Sequence, residues 1–319
     1  MKAFDTDKKK VYNKSMANNF IVSTDNCCDL TKSRLTELGV RCILLKRILG
    51  TKESSELFDT AAEFDVFYEN LKKGDMPTTT QLNPFELKDF FEGILAREKE
   101  GDIVHICLSS GLSATCNNAV LAAKEVNREN EKKGDKRRVH VFDSLMATLG
   151  QGEQVEELCR MRDAGISAKD AIAKLEEIRT HQHGWVIMSD LFHLKRGGRI
   201  SGAKAAIGSV LNIRPIIHLS LKGKLAFENK MRGNQKAIRY VLSRMEKFGE
   251  KHSSDFAKST VWVVRTSQSD IADATRAAIV SAYPGVTIKD AIVGPIIGTH
   301  LGCGGVCVLF RGAPRLDID

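Results

Sequence analysis

The sequence predicts an α/β protein: a doubly wound parallel sheet over residues 20–165, then a mixed α/β layer over residues 166–319, with a ligand held between the two domains. Three observations carry that prediction. Short apolar runs alternate with helix-forming stretches through the first half, the order that builds βαβ units. Polar residues collect where those runs end, at Asp25, Ser109 and Asp143, the rim at which open parallel sheets bind ligands. Further on, the pattern changes to that of a hairpin, so antiparallel pairing enters.

In chain order, residues 1–19 form a polar extension with Lys8-Lys9-Lys10 and without the apolar core of a secretory signal, which makes the cytoplasm the expected location. Phe20–Asp25 reads as a strand, Leu30–Leu38 as a helix closed by Gly39, and Val40–Leu45 as a strand. Helices follow over Ala61–Leu71 and Phe85–Arg97. Asn83 caps the second of these, with Pro84 at its first position and Glu86 completing a capping box. Gly101–Leu108 reads as a buried strand, Ala114–Lys132 as a helix and Arg138–Asp143 as a strand. Two helices, Gly152–Ala164 and Ala168–Thr180, lead into the second region. There Pro215–Ser220, the turn Leu221-Lys222-Gly223-Lys224 and Leu225–Phe227 form a hairpin, and Val261–Val264, Val286–Ile288 and Val306–Phe310 add strands. The uncharged stretch Ala291–Phe310 contains five glycines, Pro295 and His300. It reads as two strands joined by a glycine-rich loop rather than a membrane span.

Composition excludes several functions. The net charge of +8 is dispersed, and the basic run Glu131–Arg138 interleaves acids, so it reads as a solvated loop. Aromatics make up 6% of the chain and do not alternate with basic residues, so nucleic acid is not an expected partner. None of the eight cysteines is in CxxC spacing, so no metal site is expected and the thiols are assigned to the core. No GxxxxGK[ST] is present, so the chain carries no phosphate-donor loop of its own.

Four polar segments carry the chemistry. Leu108–Thr115 places four hydroxyls (Ser109, Ser110, Ser113 and Thr115) and Gly111 between a strand and a helix. Free backbone N–H groups there favour a carboxylate or phosphate. A single serine would be a cap; four exceed what capping needs. Thr78-Thr79-Thr80-Gln81 precedes the Asn83-capped helix and either offers hydroxyls to a ligand or braces a turn. Lys195–Ser201 is a glycine-hinged basic loop whose Arg196 and Arg199 suit an anionic ligand or partner. Gly298–Gly305 sets Thr299 and His300 among glycines, so backbone and imidazole can approach a ligand closely.

In this order the segments resemble the DegV family of bacterial lipid-binding proteins. The resemblance rests on Asp25, Asp29 and Leu30; Thr79-Thr80-Gln81 with Asn83-Pro84; Ser109–Thr115; Asp143-Ser144; Leu194–Ser201 with Gly-Gly-Arg-Ile-Ser; Asn212 and Pro215; and Gly298–Gly304. It implies one bound long-chain fatty acid and no cofactor. It implies also that Thr79, Thr80, Ser109, Ser110 and His300 surround the carboxylate, with Ser113, Gly298 and Thr299 in the same site. A further implication is service as the acyl-carrying subunit of a fatty acid kinase, with the Arg199 loop near the docking surface of an ATP-binding subunit and transient contact with a membrane surface. The sequence departs from the family pattern at Asn26, Cys28, Thr80, Ala114 and Cys303. Thr80 keeps a hydroxyl and Ala114 stays small, whereas Cys303 replaces a proline and loosens the segment around His300.

Burying about fifteen methylenes contributes on the order of 12 kcal/mol, against about 1.5–3 kcal/mol for a hydrogen bond to a charged group. The tail therefore supplies affinity and the hydroxyls orientation. Ile207, Val210, Leu211 and Ile213 are candidates for the tunnel wall, or equally for an ordinary core stripe. Two other functions are open to the same residues. One is an esterase or acyl-transfer enzyme using Ser109, Ser110 or Ser113 with His300 and Asp25, although Gly111–Thr115 lacks the second glycine of a nucleophile elbow. The other is a phosphosugar or nucleotide binder.

Overall fold

The computed structural model describes residues 20–201, 212–249 and 259–315. Ile207, Val210, Leu211 and the extension 1–19 lie outside them.

The first half alternates as its sequence predicts: β1 (Ile21–Asp25), α1 (Lys32–Glu37), β2 (Arg41–Ile43), β3 (Arg47–Leu49), β4 (Lys52–Ser54), α2 (Ala61–Lys72), β5 (Thr78–Thr79), α3 (Pro84–Arg97), β6 (Ile103–Cys107), α4 (Thr115–Lys132) and β7 (Val139–Asp143). A four-stranded sheet forms in the order β2-β1-β6-β7, parallel throughout. Because β6 is buried along its whole length, it is apolar on both faces except at His105. One face packs Ile103 and Cys107 against Leu87 and Phe91 of α3 and Ala119 of α4. The other packs Val22, Val104 and Ile106 against Val155 and Leu158 of α5 (Leu149–Asp163). The start of α3 is built as its sequence requires: the Asn83 carboxamide accepts from Phe85 and Glu86 N–H, and Glu86 accepts from Asn83 N–H at 2.9 Å. The small antiparallel sheet β4-β3-β5 was not legible, since its strands are only two or three residues long.

The second half continues with α6 (Ala168–His181), β8 (Gln182–Ile187), α7 (Phe192–Arg196), β9 (Ile200–Ser201), β10 (Ile213–Leu219), β11 (Leu225–Arg232), α8 (Asn234–Phe248), β12 (Thr260–Arg265), α9 (Asp270–Ala282), β13 (Thr287–Ile292), α10 (Pro295–Leu301) and β14 (Val306–Arg311). Seven strands pair in the order β13-β12-β14-β8-β10-β11-β9. The β10–β11 hairpin is antiparallel, as its turn sequence predicts. Strand β8 lies at the centre of this sheet, yet its polar start, Gln182-His183-Gly184, conceals it in the sequence. Period-two alternation sends Trp185 and Ile187 toward α8 and α9, with Val308 and Phe310. Val186, Cys307 and Leu309 join the core between the two sheets.

One expectation is overturned. Residues 295–301 are the helix α10, not a glycine-rich loop. Pro295 occupies its first turn and Gly302, at φ 73°, ends it. Gly298 fits mid-helix because a Cβ there would lie 2.6 Å from the Tyr68 hydroxyl. A seven-residue helix has little propensity of its own; packing against α2 makes it.

Candidate ligand-binding site

A cavity lies between the carboxyl edge of the parallel sheet and the inner face of the seven-stranded sheet. Leu45, Leu108 and Ala147 line it from the first sheet, Ile296, Ile297 and Leu301 from α10, and Val186, Leu219, Leu225 and Leu309 from the second. Polar side chains converge on His300, in the last turn of α10. Thr79 Oγ1 lies 2.8 Å from His300 Nε2, Thr80 and Gln81 follow Thr79, and Ser113 and Arg199 share the wall. The Arg199 Nε donates to Leu112 O at 3.4 Å, which ties the basic loop to the hydroxyl segment.

Long-range contacts set this arrangement. Arg196 donates to Met76 O and Pro77 O, at 3.3 and 2.6 Å, and so holds β5 with its threonines against α7. Gly197 lies against the other imidazole nitrogen: a Cβ there would sit 2.4 Å from His300 Nδ1. Gly197 is thus required by the approach of the loop to the ring, and Gly198 by its left-handed backbone, at φ 68°. Burial, together with the positive charges of Arg199 and Arg196, pushes the His300 pKa down to about 4. The imidazole is therefore neutral at pH 7 and accepts or donates a single hydrogen bond at each nitrogen.

Of the residues singled out in the sequence, Thr79, Thr80, Ser113, Arg199 and His300 reach the cavity wall, and Ser109, Ser110, Gly298 and Thr299 do not. Ser109 is fully buried; its hydroxyl donates to Gly223 O at 2.8 Å and accepts from Gly111 N–H at 3.1 Å. A Cβ on Gly111 would meet Lys222 O at 2.4 Å. The Ser109–Gly111 segment therefore clamps the β10–β11 turn onto the first sheet. Ser110 N–H donates to Asp143 Oδ1 at 3.1 Å. Thr299 Oγ1 donates to Pro295 O at 2.8 Å, within its own helix. Ser113, just before α4, accepts from Thr115 N–H at 3.2 Å and donates to the Thr115 hydroxyl at 3.0 Å while lining the cavity. Ile213 is half-buried on β10 and off the wall.

Asp25 is a hydrogen-bond hub. Its carboxylate accepts from Cys27 N–H at 3.0 Å, Leu108 N–H at 2.8 Å and Gln151 Nε2 at 3.1 Å, and burial raises its pKa. Together with His105 and Cys107 it brings three ligand-type atoms within 4.8 Å of one another. Its oxygens already accept three N–H bonds, so the group reads as a structural junction under the hydroxyl loop. Asp29, at φ 52°, lies beside Thr148 with its carboxyl against Gly294, and burial pushes its pKa up to about 7. Sequence reasoning missed Gln81, Thr148 and Gly184 as cavity residues. Only the continuation of the Thr78–Gln81 run signalled the first. All eight cysteines are free thiols, six of them buried. Among the described residues no helix is long and apolar enough to cross a membrane.

The family described as "Uncharacterised protein, DegV family" matches residues 19–311. A DegV domain-containing protein of Clostridium perfringens is 30% identical over 294 residues, which cover 92% of this chain and 97% of that one. Among solved structures, DegV from Bacillus subtilis, described as a fatty acid binding protein, superposes with a TM-score of 0.75 at 28% identity, covering 93% of this chain and 100% of that one. A DegV family protein from Eubacterium eligens, described as loaded with heptadecanoic acid, shares the fold with a TM-score of 0.75 at 18% identity, over 92% and 99% of the two chains. With a family match that runs from the first strand to the last and a cavity placed between its two sheets, the chain belongs to the DegV family.

Proposed function

We propose that this chain binds one long-chain fatty acid, with its carboxylate among Thr79, Thr80, Ser113, Arg199 and His300 and its tail along the aliphatic walls of the cavity. The observation that carries the reading is the segregation of the lining: hydroxyls, imidazole and guanidinium meet around His300, while aliphatic side chains cover most of the remaining wall. That division matches an amphiphile with one charged end. The fatty acid binding stated for the Bacillus subtilis relative supports the same ligand class. The ligand would lie between two domains, residues 20–165 and 166–319.

In this reading the protein is a carrier and not an enzyme. It presents the carboxylate to a separate, ATP-binding kinase subunit that converts it to an acyl phosphate. Arg196 and Arg199 are exposed beside the head-group end, which suits a docking surface, and the sequence contains no GxxxxGK[ST] motif. Such a carrier works in the cytoplasm and touches a membrane surface only transiently to exchange lipid. The esterase alternative is weakened by the contacts: His300 faces Thr79, Ser109 and Ser113 bond elsewhere, and Asp25 is occupied by N–H donors.

Native and denaturing mass spectrometry of protein purified from a bacterial host tests the reading. One fatty acid per chain, lost or weakened in His300→Ala, is the expected result. Protein that is lipid-free and takes up no added fatty acid overturns it. Hydroxylamine trapping of acyl phosphate, in the presence of ATP and a cognate kinase subunit, tests the presentation step.

A further inference from the structure

Resting on the fatty-acid reading, we propose that Gly184 sets the longest acyl chain the cavity accepts. Strands β14, β8 and β10 run side by side beneath the tail, and their register orders the wall into rows. Cys307 pairs with Val186, which pairs with Ile217; two residues further on, Leu309 pairs with Gly184, and Leu219 follows Ile217 on the same face. α10, which carries His300, enters β14 from the Val306 end. The Cys307 row is therefore nearer the head group, and the Leu309–Gly184–Leu219 row lies one step, roughly 7 Å, deeper.

The next row in that direction is polar. Gln182, which pairs with Arg311, is buried. Its Nε2 donates to Gly150 O at 3.2 Å and to Glu153 Oε2 at 2.8 Å, and its Oε1 accepts from Gln154 Nε2 at 2.5 Å. Arg311 closes the row on Glu153 at 3.0 Å. A methyl end pushed into this network would strand buried polar groups, so the tail stops at Gly184.

Glycine in the interior of a central strand weakens it and marks a close approach. Here a Cβ would lie 3.2 Å from Leu219 Cδ1, 3.2 Å from Leu309 Cδ2 and 3.6 Å from Met146 Cε. The first two atoms are tips of cavity-wall side chains. A side chain at 184 therefore drives leucine tips into the space the terminal carbons occupy, and the strand itself need not move.

The experiment compares wild type with Gly184→Ala, Gly184→Val and Leu309→Ala, each loaded with an equimolar mixture of saturated acids of 12 to 20 carbons, extracted, and quantified by mass spectrometry. Thermal melts and circular dichroism identify the variants that fold. The affinity lost per excluded methylene is about fourfold. Gly184→Val should thus shift the bound distribution about two carbons shorter and lower the ratio of long to short acids by about fifteenfold. Gly184→Ala should shift it less, and Leu309→Ala in the opposite direction. An unchanged distribution in folded, lipid-loaded Gly184→Ala or Gly184→Val protein overturns the role of Gly184 and leaves the fatty-acid reading standing. If Gly184→Val does not fold, Gly184→Ala and Leu309→Ala decide the question by the same criterion. Wild type that takes up none of the acids overturns both.

Discussion

Two hydroxyl-rich segments sit within one cavity's reach and are used in opposite ways. Around Ser109 the polar groups are consumed by the fold: the serine hydroxyl bonds Gly223 O, and Asp25 below it gathers N–H donors from Cys27, Leu108 and Gln151. Around Thr79 the hydroxyl meets, among the described residues, the neutral imidazole of His300 in the cavity wall. A polar group whose bonds are all made to its own backbone is a structural device. One that faces a cavity with bonding capacity left is available to a ligand.

The largest effect that would sharpen this contrast lies at Asp25. Asp25→Ala leaves two buried backbone N–H groups, of Cys27 and Leu108, without an acceptor and takes from the Gln151 amide one of its three acceptors. A loss of about 3 kcal/mol or more in urea unfolding is expected, with Asp25→Asn milder. Equal stability of Asp25→Ala and wild type would break the contrast at its structural side.

His300→Ala is the opposite case. Fatty-acid affinity should fall by about 1.5–3 kcal/mol, or 10- to 100-fold, while the unfolding midpoint of the lipid-free protein moves little. Ser109→Ala should reverse that pattern, costing about 1–2 kcal/mol of stability and leaving the affinity of the folded protein unchanged when measured by isothermal calorimetry. If Ser109→Ala instead weakens binding as much as His300→Ala, the two segments act together on the head group. Thr79→Val keeps the shape and removes the hydroxyl; about 1 kcal/mol of affinity is the expected loss.

A further effect is a pH dependence. The His300 pKa is about 4 in the folded protein, against an ordinary value near 6.5. Between those values the unfolded chain binds more protons than the folded one, so stability falls as pH drops through that window. His183, also held at about 4 by burial, adds a contribution of the same sign. NMR titration of lipid-free protein should give His300 a midpoint near 4, and His300→Asn should flatten the dependence of the urea midpoint between pH 7 and 5. An ordinary midpoint near 6.5 would mean that the imidazole is open to water rather than buried in the wall.

Much of this fold is legible in the sequence alone. The alternation of apolar runs and helices located the parallel sheet, the Asn83–Glu86 box located the start of α3, and the turn Leu221–Lys224 located the hairpin. These are local signals, written within a few residues by period, capping and turn chemistry. Strand β8 escaped because its period-two pattern opens on a glutamine, a histidine and a glycine whose reasons lie elsewhere in the chain. The helix α10 escaped because α2, and not its own composition, holds it.

The sequence by itself determined the class of fold, the caps and turns, and a short roster of residues capable of binding a carboxylate. Which of them face the cavity was decided by the tertiary structure alone. The Ser109 hydroxyl meets a carbonyl 114 residues away, and Thr79 meets an imidazole 221 residues away. A hydroxyl carries the same donors and acceptors in either setting, and only the packing of distant segments fixes whether its partner is the protein's own backbone or a ligand.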